Sequence, residues 1–174
     1  MTITSTQAGD ALSPRLLRGA LAGLVAGLLF ILATMWLASA EGKPADMPLR
    51  MISTVLKGDA AMADGTTSVG LGWATHLVLS AIFGVVFALV TPLLKTNGTA
   101  AIVGTVYGLL LYVVNFLVLA PLVFTTFQKA NQPFELVVHV IFGTLIGFAF
   151  FSSGPRSSEP LLAIGKTSRE TVGV

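Results

Sequence analysis

The sequence predicts an all-α membrane protein, an antiparallel four-helix transmembrane bundle built as a two-helix repeat with one short interfacial helix. Of the 174 residues, 54% are hydrophobic and only 10% are charged, whereas soluble domains carry about 25% charged residues. Four stretches lack any charged side chain, and each is long enough to cross a hydrocarbon core of about 30 Å as a helix. These stretches are residues 19–40, 65–94, 96–128 and 136–155. Glycines and histidines also recur at matching positions in the two halves of the chain.

The organisation along the chain follows from where proline, glycine and charge interrupt the apolar runs. The first span is expected to begin near Ser13 and Pro14, which favour an N-cap and a first helical position, and the third is expected to end at Pro121. The predicted spans cover about residues 17–40, 71–92, 99–120 and 134–152. One transmembrane domain, residues 14–154, thus lies between disordered tails at residues 1–13 and 155–174.

A short helix over about residues 47–57 is predicted to lie in the headgroup plane between the first two spans. Its side chains separate onto two faces at helical spacing. The apolar face comprises Met47, Met51, Ile52, Val55 and Leu56, and the polar face comprises Arg50, Ser53, Thr54 and Lys57. We expect this helix to form a packing lid over the bundle rather than a binding site for a partner.

The positions of Lys and Arg predict the orientation in a bacterial inner membrane. Antiparallel spans place both termini and the turn near Lys95 on one side, with six Lys and Arg residues against four on the other side. Both termini are therefore expected in the cytoplasm. The lipid bilayer is the expected environment, and a membrane-protein partner or a second copy of the chain stays open.

Small residues recur every four positions on each predicted span. They matter because lipid supplies no hydrophobic drive for helix association, so that helices must approach closely enough for van der Waals contact. The helix-packing positions are Gly19, Gly23, Gly27, Ser80, Gly84, Gly104, Gly108, Gly143 and Gly147. Since the first and third spans match, as do the second and fourth, we interpret the chain as a parallel two-helix repeat.

Four polar residues are predicted to lie at one depth, about 7 to 9 Å below the non-cytoplasmic edge at 1.5 Å per residue. Thr34 and Asn115 come about six residues before the ends of their spans, and His76 and His139 about five after the starts of theirs. All four share faces with the small residues, which predicts an inward polar cluster. Glu135 stands four residues before His139 and points the same way, near the mouth.

This cluster leaves several functions open. Each histidine would be neutral and hydrogen-bonded in a purely structural bundle, and we expect a binding or accessory subunit without a cofactor. Ionisable residues inside a membrane are nonetheless candidates for function. The alternatives are a bis-histidine haem b or a metal ion on His76 and His139, a small-solute or proton transporter, and a pH-responsive or partner-binding subunit.

The composition excludes several other kinds of site. Cysteine is absent, which rules out disulfides, thiolate metal sites and cysteine nucleophiles. Nucleic acid is not an expected partner, because the sequence has no basic stripe with interleaved aromatic residues. Ser80 follows His76 by four residues, but no third group accompanies this pair to orient the base. We therefore predict that the protein is not an enzyme.

Segments 72–84 and 139–147, together with Tyr107-Gly108 and Pro121, resemble a group of small four-span bacterial inner-membrane proteins with no established function. Members of the group look similar in a glycine-rich first span, a histidine that opens the second span and a Gly-His-x-x-x-Gly-like start of the last. Val138 stands here in place of the glycine before the histidine. The resemblance covers about residues 15–152 and implies the fold and the membrane, but no activity.

Overall fold

The computed structural model describes residues 7–151, with side chains from residue 14 onward, and within this range the chain is helical and contains no strand. Four helices in it are long and apolar enough to cross a membrane. They are Pro14–Ala40, Val69–Leu93, Asn97–Leu122 and Gln132–Ala149. Large apolar side chains cover the outside of these spans, as Leu21, Val78 and Leu110 do with exposed fractions of 54%, 58% and 54%. The predicted all-α four-helix fold is confirmed, and the chain is a multi-pass integral membrane protein.

The helices follow one another without long irregular segments. They are α1 Gln7–Ala40, α2 Met47–Lys57, α3 Ala60–Ala63, α4 Val69–Val90, α5 Asn97–Tyr112, α6 Ala120–Leu122 and α7 Gln132–Ala149. A 3₁₀ turn, Thr91–Leu93, extends α4, and a second one, Thr125–Lys129, precedes α7. We call the end of the bundle that carries α2, α3 and the second 3₁₀ turn the cap end, and the opposite end the terminal end.

The first helix begins earlier than the sequence predicted. α1 starts at Gln7, so Ser13 is not its N-cap and Pro14 lies inside it. Proline removes one backbone N–H and with it one hydrogen bond of the helix, while the neighbouring Ala and Leu residues are strong helix formers. Residues 7–13 of the tail predicted at 1–13 thus belong to α1. Residues 1–6 of that tail and the tail predicted at 155–174 lie outside the described residues.

The other three spans each begin two residues before their predicted starts, because side-chain caps precede them. Ser68, Thr96 and Asn131 each accept a hydrogen bond from the backbone N–H three residues on, at 3.0 to 3.2 Å. These caps satisfy amides that lack a partner within the helix, and each contributes about 1 kcal/mol. The apolar runs in the sequence begin later than the helices, so a prediction from these runs misses the first residues after each cap.

The helix α2 has the predicted bounds but presents an unexpected face to the bundle. Leu49, Ser53 and Thr54 are its buried residues, whereas Leu56 of the predicted apolar face is 66% exposed. Ser53 and Thr54 donate to carbonyls of their own helix at 2.7 Å, so their burial leaves no hydroxyl proton unpaired. These short side chains allow α2 to lie directly on the start of α4, while the rest of the predicted apolar face is half-buried.

Two tight hairpins make up the bundle, α1 with α4 and α5 with α7. In the first, a Cβ added to Gly23 or Gly84 would lie closer than 3.0 Å to backbone of the facing helix. In the second, the same holds for Gly108 and Gly143. Gly108 faces the carbonyl of His139, so α5 and α7 approach closely there although Val138, and not a glycine, precedes this histidine.

Aromatic rings fill the interface between the two hairpins. Phe87 packs against Tyr107 and Phe150 with ring centroids 5.5 and 5.8 Å apart, and Phe83 lies 6.5 Å from Phe142. The Tyr107 hydroxyl donates to the carbonyl of Phe83 at 2.9 Å. The contact between hairpins thus depends on large side chains, whereas the contact within each hairpin depends on their absence.

The third span changes its winding near the cap end. A π-helical segment, Val113–Leu119, joins α5 to α6, and the Ala120 N–H bonds to the carbonyl of Asn115, five residues back. The helix ends at Leu122, one residue past the predicted end at Pro121. Because the wider winding already departs from the α-helical bonding pattern, the missing N–H of proline does not have to end the helix.

A hydrogen-bonded clamp joins the two cap-end loops. The Asp59 carboxylate accepts from the backbone N–H and the hydroxyl of Thr125 at 2.7 and 2.6 Å, and from the Thr126 hydroxyl at 2.8 Å. The hydrogen bonds, that from the Thr125 hydroxyl first, hold the pKa of Asp59 below its ordinary value of 3.8. The loop of the first hairpin is therefore tied to the loop of the second.

We predict that Gly84→Ala destabilises the protein by about 1 to 3 kcal/mol, because the added methyl would meet the backbone of Gly19 and push α1 from α4. Gly70→Ala in the same helix is the matched control, since nothing lies within 4 Å of its Cβ position. It should be neutral or stabilise by up to about 1 kcal/mol. The free energy of unfolding in mixed micelles checks both values. Equal effects would contradict the tight packing of this hairpin.

We predict that Asp59→Asn lowers the melting temperature at neutral pH. A carboxylate whose pKa is lower in the folded state stabilises above the unfolded pKa, and this contribution is lost as pH falls through the folded pKa. The difference between wild type and Asp59→Asn should therefore shrink below about pH 3.8. Asp64→Asn, in an exposed position of the same loop, should not show this difference. A constant difference down to pH 2 would argue against the clamp.

Candidate functional site

Three of the five residues of the predicted polar cluster lie together between α5 and α7 near the cap end. The His139 imidazole is 6% exposed, and its Nδ1 lies 2.7 Å from the carbonyl oxygen of Glu135. Its Nε2 lies 3.5 Å from the amide nitrogen of Asn115. The carboxylate of Glu135 is 3.8 Å from Nδ1. We refer to these three residues as the Glu135 centre.

The hydrogen bonds of His139 assign its neutral tautomer. A carbonyl oxygen only accepts, so the proton lies on Nδ1 and is donated to Glu135. The lone pair of Nε2 then accepts from the side-chain amide of Asn115, which fixes the orientation of that amide. Both nitrogens of this imidazole are thus used in the hairpin.

Two features of the backbone position these groups. Gly108 and Gly143 bring the backbones of α5 and α7 close at the level of His139. The π-helical segment contains Asn115 and Phe116, and its altered winding carries the amide towards the imidazole. Segments of this kind occur frequently at functional sites.

The carboxylate of Glu135 lies within a membrane-spanning helix and is 14% exposed. Among the described residues no Lys or Arg forms an ion pair with it, and His139 is its single ionisable neighbour within ion-pair distance. Burial opposes a charge at this position. The position in the first turn of α7 favours one, because a helix N-terminus carries a partial positive charge. Glu135 and His139 are therefore the ionisable pair of this site.

The second histidine lies on the other side of an aromatic ring. His76 Nε2 is 2.8 Å from the carbonyl of Gly27 in α1, so this nitrogen carries the proton, unlike in His139. The Phe30 ring lies 5.7 Å from the His76 ring and 4.8 Å from the His139 ring, between centroids. Phe30 thus contacts both imidazoles, one in each hairpin.

Thr34 is buried but takes no part in this centre. Its hydroxyl donates to the carbonyl of Ile31 in its own helix at 2.9 Å, and no hydrogen bond within residues 14–151 joins it to a histidine. A threonine can satisfy its hydroxyl on the preceding turn of a helix, so burial alone does not place it in a site. The predicted cluster is therefore divided between the Glu135 centre, His76 across Phe30, and Thr34 within α1.

Sequence reasoning missed the aromatic residues around His139. Phe30, Phe116 and Tyr112 meet its ring edge to face at 4.8, 5.4 and 6.0 Å. The Tyr112 hydroxyl also donates to the Gln132 side chain at 3.2 Å. Tyr112 and Phe116 are four residues apart, which places them on one face of the third span, but many lipid-facing residues share this spacing.

The geometry gives little support to a haem or a metal ion at the two histidines. Phe30 contacts both imidazole rings, and His76 Nε2 already donates to a carbonyl. Within the described part of the chain, no group of three His, Asp or Glu residues is placed to hold a metal ion.

Comparison of the chain with protein-family models, with curated proteins and with solved structures gives no match.

Proposed function

We propose that this integral membrane protein is a binding protein rather than an enzyme, and that its Glu135 centre takes up and releases a proton at the cap end of the bundle. The observation that carries the proposal is the largely buried carboxylate of Glu135, which has His139 at 3.8 Å as its ionisable neighbour. A carboxylate at membrane depth is costly unless it is neutralised. One proton, held either on the Glu135 carboxyl or on Nε2 of His139, makes the pair neutral.

The packing around His139 would transmit a change of its charge to both hairpins. Its ring contacts Phe116 within its own hairpin and Phe30 of the other. A proton added to Nε2 would remove the acceptor that faces the Asn115 amide, so the amide would have to rotate. The interface between hairpins would then repack, which suits a pH-responsive or accessory subunit that acts on a membrane partner or on a second copy of the chain.

Proton transport across the bilayer has less support than proton binding. Towards the terminal end, the next polar groups between α5 and α7 are the hydroxyls of Thr105 and Thr144, 2.9 Å apart. Each also bonds to a carbonyl of its own helix. Between α5 and α7 the described residues place no carboxylate or imidazole nearer the terminal end than Glu135 and His139, and the described hydrogen bonds of the His76 side chain join it to Gly27 rather than to this centre. Proton exchange with the cap-end surface is therefore the better supported reading.

The two-helix repeat and the orientation belong to the same proposal. The contact of Gly27 with Ser80 and His76 in the first hairpin corresponds to that of Gly108 with Gly143 and His139 in the second, which supports a duplicated unit. The Lys and Arg distribution supports cytoplasmic termini in the proposed bacterial inner membrane. The cap end, and with it the Glu135 centre, would then face the non-cytoplasmic side.

Infrared difference spectroscopy over a pH titration in bilayers tests the proposal. We expect one protonated-carboxyl band that Glu135→Gln removes and whose midpoint pH changes in His139→Gln, because the two groups share the proton. Glu41→Gln, which changes an exposed carboxylate at the same end, should leave that band unchanged. A band that persists in Glu135→Gln, or no titrating band from pH 4 to 9, would contradict proton binding at this centre.

A further inference from the structure

A groove on the lipid-facing side of the bundle lies at the terminal end, between α1 and α7, far along the helices from the Glu135 centre. Its volume is about 650 Å³. Its apolar walls include Leu17, Leu21, Val25 and Leu29 of α1, and Leu145 and Phe148 of α7. Arg18 is the charged residue of the lining, and no acidic residue belongs to it.

Arg18 is held at the rim of this groove by the end of α7. Its Nε donates to the carbonyl of Ala149 at 2.5 Å, and Nη2 donates to that of Phe151 at 3.3 Å. The guanidinium carbon lies 5.7 Å from the centre of the Phe150 ring. A guanidinium has five N–H groups, and these two bonds use two of them. The side chain is exposed, so a fixed positive charge with further donors lies at the mouth of an apolar groove.

The length of the groove fits one leaflet of a bilayer. From Arg18 to Leu29 the helix rises about 16 Å at 1.5 Å per residue, and half of a hydrocarbon core of about 30 Å is about 15 Å. A lipid chain lying along α1 would therefore reach from the headgroup level to the middle of the membrane. Its headgroup would then be at the level of the guanidinium.

We propose that this groove is a binding site for an anionic phospholipid, with one acyl chain between α1 and α7 and the phosphate on Arg18. Basic residues above apolar grooves between transmembrane helices recognise anionic headgroups, and guanidinium pairs with phosphate through parallel hydrogen bonds. Arg18 would then contact both the phosphate and the carbonyls of Ala149 and Phe151. The bound lipid would in this way strengthen the contact between the first and last spans.

Native mass spectrometry of the full chain tests this site, with phosphatidylglycerol and phosphatidylcholine of identical acyl chains as probes. We expect phosphatidylglycerol to bind more tightly, and Arg18→Gln to weaken it about fivefold while leaving phosphatidylcholine nearly unchanged. Lys95→Gln is the matched control, because Lys95 is an exposed cation at the same end outside the groove. It should retain the wild-type preference.

A second pair of variants tests the groove without touching the charge. Val25→Trp fills the groove and should weaken binding of both lipids, whereas Val78→Trp, at a similarly exposed lipid-facing position on α4, should not. Equal binding of the two lipids by the wild type would overturn the proposal. So would equal losses in Arg18→Gln and Lys95→Gln, or unchanged binding in Val25→Trp.

Discussion

Close approach of helix backbones at glycine is the constraint on which the rest of this structure depends. In lipid, apolar side chains gain nothing by leaving one apolar environment for another, so association requires van der Waals contact and hydrogen bonds. Within each hairpin the facing backbones leave no room for a Cβ at Gly84 or Gly143. The two hairpins are thus closely packed, and large aromatic side chains fill the interface between them.

The same packing creates the chemistry of the site. Because α5 and α7 touch at Gly108, His139 is enclosed at a hairpin interface and can reach a carbonyl and an amide at once. Glu135, one turn nearer the surface, is enclosed with it but keeps a small exposed area. Phe30 then joins this centre to His76 of the other hairpin. With a buried carboxyl group, an imidazole and a contact between the two hairpins at one place, the proposed proton binding would alter the packing of both hairpins.

Local patterns in the sequence predicted the spans, because apolar length is a property of each segment alone. They could not predict the π-helical winding at Asn115 or the position of Phe30 between two histidines, since both depend on contacts between distant segments. The burial of two polar residues of α2 was missed for a related reason. The amphipathic rule assumes that polar residues face water, whereas Ser53 and Thr54 bond to their own helix and pack inward. Thr34 satisfied its hydroxyl in the same manner.

The central claim is that the His139 ring is held by hydrogen bonds to Glu135 and Asn115. The chain has two histidines, and their opposite tautomers provide the most direct test of this claim. Solid-state NMR of the protein in bilayers, with ¹⁵N-labelled histidine, distinguishes protonated from unprotonated ring nitrogens. At neutral pH we expect one imidazole signal with the proton on Nδ1, assigned to His139, and one with the proton on Nε2, assigned to His76. The first signal should be absent from the spectrum of His139→Gln. Two imidazoles with the proton on Nε2, or a spectrum that Asn115→Leu leaves unchanged, would contradict this account.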